Sequence, residues 1–307
     1  MEGIIVVNGE IQKPESASIP ALDRGFLFGD NVFEVLVAFK GKVLDLDKHL
    51  ARLRHSADQL DLPLPWSDEE LAFELQHVAT QADFPKAYLR IVVTRGSGTG
   101  LEVPDEIQPH KIIYGFPAKV ADGSLYTHGM ALQMRSLPHT ERGPMAKTGN
   151  YLRSILALKK AKKDGFNDVI WTNSEGEVTE ATTANIFFIG RQGDLVDIVT
   201  PSVQSGILKG ITRQTVMEML GVAGIASSET IIDQDELARF DEAFVCSTVR
   251  GLVPVSRINQ HRFHTMRPTS TFSHINRLYM AWVAREIGYR ADWNTGKFLG
   301  PLGASQD

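Results

Sequence analysis

The stretch GILKGITR (residues 206–213) determines how we interpret the second half of this 307-residue chain. Gly210 and Ile211 lead directly into a pattern that predicts a helix from Thr212 to Leu220. A helix N-terminus presents backbone N–H groups that are not bonded within the helix, and the Thr212 hydroxyl adds a further donor. The stretch therefore predicts a phosphate-binding turn, although a plain strand-to-helix turn capped by threonine would have the same sequence.

Two residues upstream extend this prediction. Lys147 lies between a loop and a predicted helix, and Glu180 lies at the entry to an apolar strand. Taken alone, Lys147 would be a surface lysine and Glu180 a turn glutamate. A lysine with a depressed pKa forms imines, however, and a buried carboxylate requires a partner such as a protonated ring nitrogen. With the phosphate turn, these are the three groups that hold pyridoxal 5'-phosphate and keep its ring electron-withdrawing.

The composition is that of a globular protein. Hydrophobic residues make up 43% and charged residues 22%, and the net charge is −5 with no long basic run. These values disfavour a nucleic-acid or membrane-surface role. The single Cys246 excludes an intrachain disulfide, and the nine histidines show no metal-ligand spacing. Because we find neither a signal-peptide pattern nor a long apolar span, we expect a cytoplasmic protein.

Apolar periodicity predicts an α+β chain with two domains. We expect a small N-terminal α/β domain at 1–117, a linker at 118–123 and a larger mixed α/β domain at 124–307, with the last dozen residues loose. The predicted strands are 4–7, 10–11, 33–39, 42–46, 87–94, 111–116, 131–136, 168–172, 184–189 and 242–247. The predicted helices are 47–60, 67–80, 151–163, 212–220, 231–240 and 270–287.

Local signals support some of these boundaries. Asp47 is a plausible N-cap for the first predicted helix, and Ser67 with Glu70 has the capping-box spacing for the second. The loop RGSGTG (residues 95–100) follows a strand but matches neither a dinucleotide fingerprint nor a phosphate loop with its lysine. We interpret it as a flexible loop that could cover a substrate.

Taken as a set, the motifs closely resemble those of class IV aminotransferases, the fold-type IV pyridoxal-phosphate enzymes. That family includes branched-chain and D-amino-acid aminotransferases, aminodeoxychorismate lyases and some (R)-amine transaminases. The resemblance implies a two-domain fold-type IV enzyme that forms a homodimer. The matching segments, in the family's order, are DRGFLFGDNVFEV (23–35), HLARLRHSA (49–57), AKTGNYLRSILA (146–157), EVTEATTANIFFI (177–189), GILKGITRQ (206–214) and STVRGLVPV (247–255).

The resemblance implies a role for each cofactor residue. Lys147 would be the Schiff-base lysine that also moves the proton, and Glu180 would pair with the ring nitrogen. Tyr151 resembles the tyrosine that bonds the cofactor's phenolic oxygen. The implied phosphate ligands are Arg52, the Ile211 and Thr212 amides, the Thr212 hydroxyl and Thr248. The implied reaction is ping-pong, in which an amino donor leaves as a 2-oxo acid before a 2-oxo acid acceptor takes the amino group.

The resemblance is less specific about the substrate. Phe33 and the sequence Tyr88-Leu89-Arg90 resemble branched-chain enzymes, and the Arg-x-His pair of D-amino-acid enzymes is missing after the predicted strand. Branched-chain enzymes usually have a GTA-type turn, which here reads Ser247-Thr248-Val249 and is followed by Arg250. This departure puts carboxylate recognition by backbone amides in doubt.

An arginine could bind the substrate carboxylate instead. Arg90, Arg95 and Arg250 are the candidates, because a guanidinium grips a carboxylate as a bidentate fork. Each of the three could equally belong to a structural ion pair. The resemblance favours L-branched-chain or aliphatic amino acids as substrates. The alternatives are D-amino acids, a lyase that eliminates pyruvate, and a non-catalytic carrier of the cofactor.

Overall fold

The structure is a computed structural model that describes residues 2–137, 143, 145–193 and 195–302. The chain forms two compact units of mixed α/β structure. The first comprises residues 1–120, 146–151 and 284–307, and the second comprises 121–145 and 152–283. The first boundary lies inside the predicted linker 118–123. The division differs from the predicted one because the chain returns to the first unit at the Lys147 segment and again near its end.

The first unit contains a six-stranded antiparallel sheet with the strand order β2-β1-β6-β5-β3-β4. Helices α2 and α3 pack on the sheet around a core of aliphatic side chains. The strands are β1 (Ile4–Val7), β2 (Glu10–Gln12), β3 (Asn31–Phe39), β4 (Lys42–Val43), β5 (Lys86–Thr94) and β6 (His110–Pro117). The helices are α1 (Arg24–Phe28), α2 (Leu46–Asp58) and α3 (Asp68–Ala82).

The ends of these helices both correct and confirm the sequence-based boundaries. Helix α2 begins at Leu46 after Asp45, which adopts a left-handed conformation with φ 48°, so Asp47 lies in the first turn and is not the N-cap. An acidic residue in that turn still interacts favourably with the helix dipole. The capping box of Ser67 and Glu70 is confirmed, with both reciprocal hydrogen bonds present.

The second unit contains a nine-stranded mixed sheet with the order β12-β11-β10-β13-β14-β7-β8-β9, and β15 pairs with β14. Its strands are β7 (Met130–Ser136), β8 (Asp168–Thr172), β9 (Val178–Ala181), β10 (Asn185–Gln192), β11 (Leu195–Pro201), β12 (Ser228–Thr230), β13 (Phe240–Ser247), β14 (Gly251–Ile258) and β15 (His261–Arg262). Its helices are α4 (Ser124–His128), α5 (Leu152–Lys163), α6 (Ile211–Val222) and α7 (Thr271–Ile287), whose last turn belongs to the first unit.

Two predicted elements of the C-terminal half differ from the structure. The predicted helix 231–240 is only a 3-10 turn over Gln234–Arg239. The carbonyl of Ile232 instead accepts a hydrogen bond from Val178 N–H, so the preceding residues are extended. The last dozen residues, expected to be loose, include β17 (Phe298–Pro301), which pairs with β16 (Tyr289–Ala291). Within the described residues, no helix is long and apolar enough to span a membrane.

Candidate active site

The Lys147 segment lies alongside β3 in the first unit. The Lys147 N–H donates to Ser56 Oγ of α2 at 3.1 Å, and its carbonyl accepts from the Phe33 N–H at 3.0 Å. A Cβ on Gly149 would lie 2.6 Å from Asn31 Nδ2, so the close approach to β3 requires glycine there. The backbone on both sides of the lysine is therefore fixed, which limits where its amine can reach.

The Phe33 ring brings together four of the residues that the sequence singled out. Lys147 Nζ lies 4.6 Å and the Arg90 guanidinium carbon 3.9 Å from the ring centroid. The Tyr151 ring meets Phe33 edge-on with centroids 5.6 Å apart. Phe33 itself is 3% exposed. A cation over an aromatic face is stabilised by the ring quadrupole, so the buried Phe33 positions both cationic side chains.

Strand register explains why Arg90 reaches Phe33. Phe33 pairs with Val92 and Val35 with Arg90 across β3 and β5, so Phe33 and Arg90 are diagonal neighbours on one face of the sheet. Tyr88, two residues earlier on β5, shares that face. On the other side of Arg90, β6 places Tyr114 directly opposite. Burial raises the pKa of Tyr114, while Arg90 acts in the opposite direction.

Arg52 is held by a carboxylate that the sequence interpretation overlooked. Glu34 accepts from Arg52 Nε at 2.6 Å and Nη2 at 2.8 Å, and its Oε2 lies 2.7 Å from His49 Nδ1. Glu34 and His49 are each 1% exposed. Burial alone would raise the pKa of Glu34, but the adjacent Arg52 and His49 lower it to about 2. The orientation of Arg52 is therefore set by a buried, ionised glutamate.

Arg95 occupies a different environment from Arg90. Its Nε donates to Asp30, and its two Nη groups donate to the carbonyls of Asp61 and Leu60 at 2.8 and 2.7 Å. Asp30 also binds Arg24 at 2.9 Å. Arg95 thus joins β5 to the end of α2, which is the structural ion pair that the sequence left open as an alternative.

Arg24 also corrects the expectation of a flexible 95–100 loop. Its guanidinium donates to the carbonyls of Gly100, Leu101 and Glu102. The preceding Asp23 accepts from the Thr94 hydroxyl at 2.7 Å. Because a buried arginine binds three consecutive carbonyls, the loop has a fixed path.

In the second unit, the phosphate turn is a helix N-terminus without a capping side chain. Helix α6 begins at Ile211, one residue before the predicted start, and its N-cap Gly210 provides no side-chain hydrogen bond. Thr212 is 6% exposed in the first turn. The first-turn N–H groups and the Thr212 hydroxyl are consistent with the predicted anion-binding turn.

A buried arginine fixes this helix end to the sheet. Arg213, 2% exposed, donates to the Thr200 hydroxyl at 3.2 Å, the Pro201 carbonyl at 3.0 Å and Glu229 at 3.1 Å. Helix α6 also packs on β13, the strand that ends at Ser247. The helix N-terminus is therefore held by polar contacts to the edge strand β12 and its neighbour β11, in addition to apolar packing.

Glu180 lies on β9 and is half-buried. Its Oε2 accepts a hydrogen bond from Asn185 Nδ2 at 2.9 Å. The same Nδ2 donates to the Leu208 carbonyl in the turn before α6. Asn185 was not identified from the sequence as a site residue, although it lies in the quoted EVTEATTANIFFI segment.

The turn after β13 contains three predicted residues. Thr248 and Val249 are half-buried there. The Arg250 guanidinium donates to the Thr183 hydroxyl at 3.1 Å and lies 3.6 Å from Asp168. Arg250 is therefore bound to the turn between β9 and β10. Gly251 has φ 64° and allows the chain to enter β14 directly after this turn.

Comparisons with known proteins agree with this arrangement. The sequence pattern of the family amino-transferase class IV matches residues 31–258. A Methanocaldococcus jannaschii protein, provisionally named a branched-chain-amino-acid aminotransferase, is 33% identical over 83% of this chain and 88% of its own length. The D-alanine aminotransferase of Bacillus licheniformis is 28% identical over 83% of this chain and 88% of its own length. The fold is similar to the Escherichia coli branched-chain amino acid aminotransferase, with a TM-score of 0.83, 24% identity and 95% and 97% of the two chains covered.

The chain belongs to the class IV aminotransferases. It is an aminotransferase with the fold-type IV architecture, as the resemblance of its motifs predicted. Enzymes of this family depend on pyridoxal phosphate.

The residues of this chain fit that group. A buried amide orients the Glu180 carboxylate, the α6 N-terminus carries no capping side chain, and Lys147 is held by its backbone. Within the described residues, no cluster of histidine, cysteine and carboxylate side chains has the arrangement of a metal site.

Proposed function

We propose that this protein is a pyridoxal-phosphate-dependent aminotransferase that acts on L-branched-chain or other aliphatic amino acids. The observation that carries the proposal is the fixed Lys147 segment, whose amine contacts the same Phe33 ring as the Arg90 guanidinium. The cofactor, when bound, withdraws electrons from the substrate α-carbon. Lys147 Nζ would both hold the cofactor aldehyde and move the proton at that α-carbon.

The other residues would bind and orient. The Glu180 carboxylate would pair with the ring nitrogen, and Tyr151 would bond the phenolic oxygen. The Ile211 and Thr212 amides, the Thr212 hydroxyl, Thr248 and Arg52 would hold the phosphate. Because Glu34 binds Arg52 and is itself held by His49, this guanidinium would present its charge without reorganising.

Arg90 is the arginine that we propose for the substrate carboxylate. It lies on the sheet face that carries Phe33 and Tyr88, and it makes no hydrogen bond or ion pair with any other described residue. Arg95 and Arg250, in contrast, bind carbonyl, hydroxyl or carboxylate groups. The apolar Phe33 and the half-buried Tyr88 favour an aliphatic side chain beside this carboxylate.

A D-amino-acid aminotransferase is the second candidate. The specific support is the 28% identity to the Bacillus licheniformis D-alanine enzyme over most of both chains. The amino donor would be a D-amino acid and the acceptor a 2-oxo acid. The Arg-x-His pair expected of the best-known D-amino-acid enzymes is absent from the loop after β5, and this weighs against that candidate.

Absorption spectra of the purified protein test the proposal. L-Leucine, D-alanine and D-glutamate are added separately, and conversion of the bound cofactor to its amine form is followed. We expect conversion with L-leucine only. Conversion with a D-amino acid only would favour the second candidate. A lysine-bound cofactor that none of the donors converts would point to a lyase or another amine substrate, and a protein that takes up no cofactor would refute the proposal.

We also propose that the enzyme is a homodimer, and that a second copy covers two exposed apolar faces. In α1, Phe26, Leu27 and Phe28 are 71%, 40% and 39% exposed. In α5, Leu152, Ile155 and Leu156 are 70%, 58% and 58% exposed. Contiguous apolar surface of this kind marks interaction sites. Light scattering should give twice the chain mass, and Phe26→Glu with Ile155→Glu should give the mass of one chain.

A further inference from the structure

Asn185 contacts both halves of the proposed cofactor-binding region in the second unit. It is the first residue of β10 and is 5% exposed. Its Nδ2 donates to Glu180 Oε2 at 2.9 Å and to the Leu208 carbonyl at 3.0 Å. A primary amide has two N–H donors, so this pair of bonds uses both.

The oxygen of the same amide lies close against the α6 N-cap. A Cβ added to Gly210 would lie 1.8 Å from Asn185 Oδ1, which a larger residue could not tolerate without moving the amide. Gly210 has φ −67°, a conformation open to any residue, so the close approach and not the backbone torsion requires glycine. One side chain therefore touches the carboxylate, the turn and the helix start.

We propose that Asn185 is a positioning residue that fixes the Glu180 carboxylate relative to the N-terminus of α6. The inference rests on the proposed function, in which Glu180 meets the ring nitrogen and the α6 N-terminus receives the phosphate of the same cofactor. The two ends of a rigid ligand can be bound together only if the protein groups keep a fixed spacing. A donated hydrogen bond also favours the ionised carboxylate that a protonated ring nitrogen requires.

The chain offers a matched control in the same unit. Asn173 Nδ2 donates to Glu177 Oε2 at 2.8 Å and to the Ser205 carbonyl at 3.3 Å. Asn173 is also 5% exposed, and it too connects a glutamate to the segment that leads to α6. Glu177, however, has no role in the proposed cofactor binding. The two amides donate in the same pattern and differ in the glutamate they orient. Asn173 Oδ1 also accepts from the backbone N–H groups of Glu175 and Glu177 at 3.0 Å, so Asn173→Ala removes more side-chain hydrogen bonds than Asn185→Ala does.

The experiment compares Asn185→Ala and Asn173→Ala in the full-length enzyme. Equilibrium dialysis gives the dissociation constant of pyridoxal phosphate, and the phosphorus NMR shift reports the environment of its phosphate. Because Asn185→Ala removes a hydrogen bond to a charged group, we expect it to weaken cofactor binding by about tenfold or more. The phosphorus shift should also change. For Asn173→Ala we expect less than about a threefold effect and an unchanged phosphorus shift.

A second variant separates positioning from packing. Asn185→Asp preserves the shape of the side chain but places a second carboxylate beside Glu180, so it should bind the cofactor more weakly than Asn185→Ala. In a Glu180→Gln background, the Asn185→Ala effect on cofactor affinity should shrink, because the oriented carboxylate is gone. If Asn185→Ala fails to fold, Asn185→Asp measured in the parent and in the Glu180→Gln background still tests the inference, because its effect on cofactor affinity should also shrink once the Glu180 carboxylate is gone.

Failure of the inference and failure of the proposed function have different signatures. If the unsubstituted enzyme retains no pyridoxal phosphate, the proposed function fails. If it retains the cofactor but the Asn185 and Asn173 variants have equal affinities and phosphorus shifts, Asn185 has only a structural role. The inference would also be overturned if Asn185→Ala weakened cofactor binding by the same factor in the Glu180→Gln background as in the parent enzyme.

Discussion

The first unit places four basic side chains in two contrasting environments. Around Asp30, Arg24 and Arg95 are bound by the carboxylate and by backbone carbonyls. Around Phe33, Arg90 and Lys147 lie over the face of an aromatic ring. A guanidinium bound by carboxylate and carbonyls fixes the path of the chain. A cation stacked on a ring is stabilised by the ring quadrupole. Arg90 makes no hydrogen bond or ion pair with another described residue, so its N–H donors are available to a ligand.

Lys147→Ala tests the ring-stacked environment most directly and should have the largest effect. Loss of the amine that binds the cofactor and moves the proton should reduce turnover by about 10³-fold or more. Activity and cofactor absorption are the measurements. Lys42→Ala, at an exposed position of β4, is the control and should leave both unchanged. Normal turnover by the Lys147 variant would refute the assignment of Lys147 as the residue that binds the cofactor and moves the proton.

Glu34→Gln tests how much a buried carboxylate contributes when it binds an arginine, here Arg52. The pKa of Glu34 is lowered from 4.5 to about 2, so its contribution to stability is present above pH 4.5 and is lost as the pH falls towards 2. At neutral pH the substitution should reduce the free energy of unfolding by about 3 kcal/mol. Chemical denaturation at several pH values measures this, and the variant should lose less stability than the parent below pH 4.5.

An exposed ion pair provides the control for Glu34. Arg54 and Asp68 form a 2.7 Å pair whose side chains are 30% and 53% exposed. Asp68→Asn should therefore cost less than about 1 kcal/mol. Equal losses for the buried and the exposed substitutions would contradict the importance of burial for Arg52.

Substitution of Arg90, on β5, and Arg95, the residue that follows β5, compares the two environments directly. Arg90→Ala should raise the KM for amino and 2-oxo acids by about tenfold or more, because a charge-assisted bond to the substrate is lost. Its melting temperature should change little. Arg95→Ala should lower the melting temperature through loss of its bonds to Asp30, Leu60 and Asp61. If Arg90→Ala instead releases the cofactor, Arg90 belongs to the structural group.

The two environments also explain what could be predicted from sequence. The phosphate turn, the capping box and the alternation of β5 are local patterns, so they were predicted with boundaries within a few residues. Glu34 and Asn185 were missed because their roles depend on partners elsewhere in the chain. The partners of Glu34 are 15 and 18 residues away, and those of Asn185 are 5 and 23 residues away. A glutamate inside the apolar strand FEVLVAF was the available signal, since a buried carboxylate requires a partner. For Arg90 and Arg95, the sequence left both roles open. The hydrogen bonds of Arg95 to Asp30, Leu60 and Asp61 give it a structural role, and the substrate-binding role of Arg90 stays a proposal.

Lys86 is a third type of buried cation, and it extends the comparison to the C-terminal hairpin. Its Nζ lies 4.5 Å from the Trp293 ring centroid and donates to the Trp293 carbonyl at 2.6 Å. Burial lowers the pKa of Lys86 to about 7, against an opposing effect of Asp292. The unfolded chain therefore binds more protons than the folded one between about pH 7 and 10.5, so this lysine makes stability rise with pH across that window.

Lys86→Met should remove that rise while keeping most of the apolar contact with Trp293. The measurement is the free energy of unfolding at intervals from pH 7 to 10, compared with the parent chain. Lys40→Met is the control, because Lys40 is exposed while stacking 5.3 Å from the Tyr289 ring of the same hairpin. We expect the parent slope in the Lys40 variant and a flatter one in the Lys86 variant. Equal slopes would show that the contacts of Lys86 keep it charged across this pH range despite its burial.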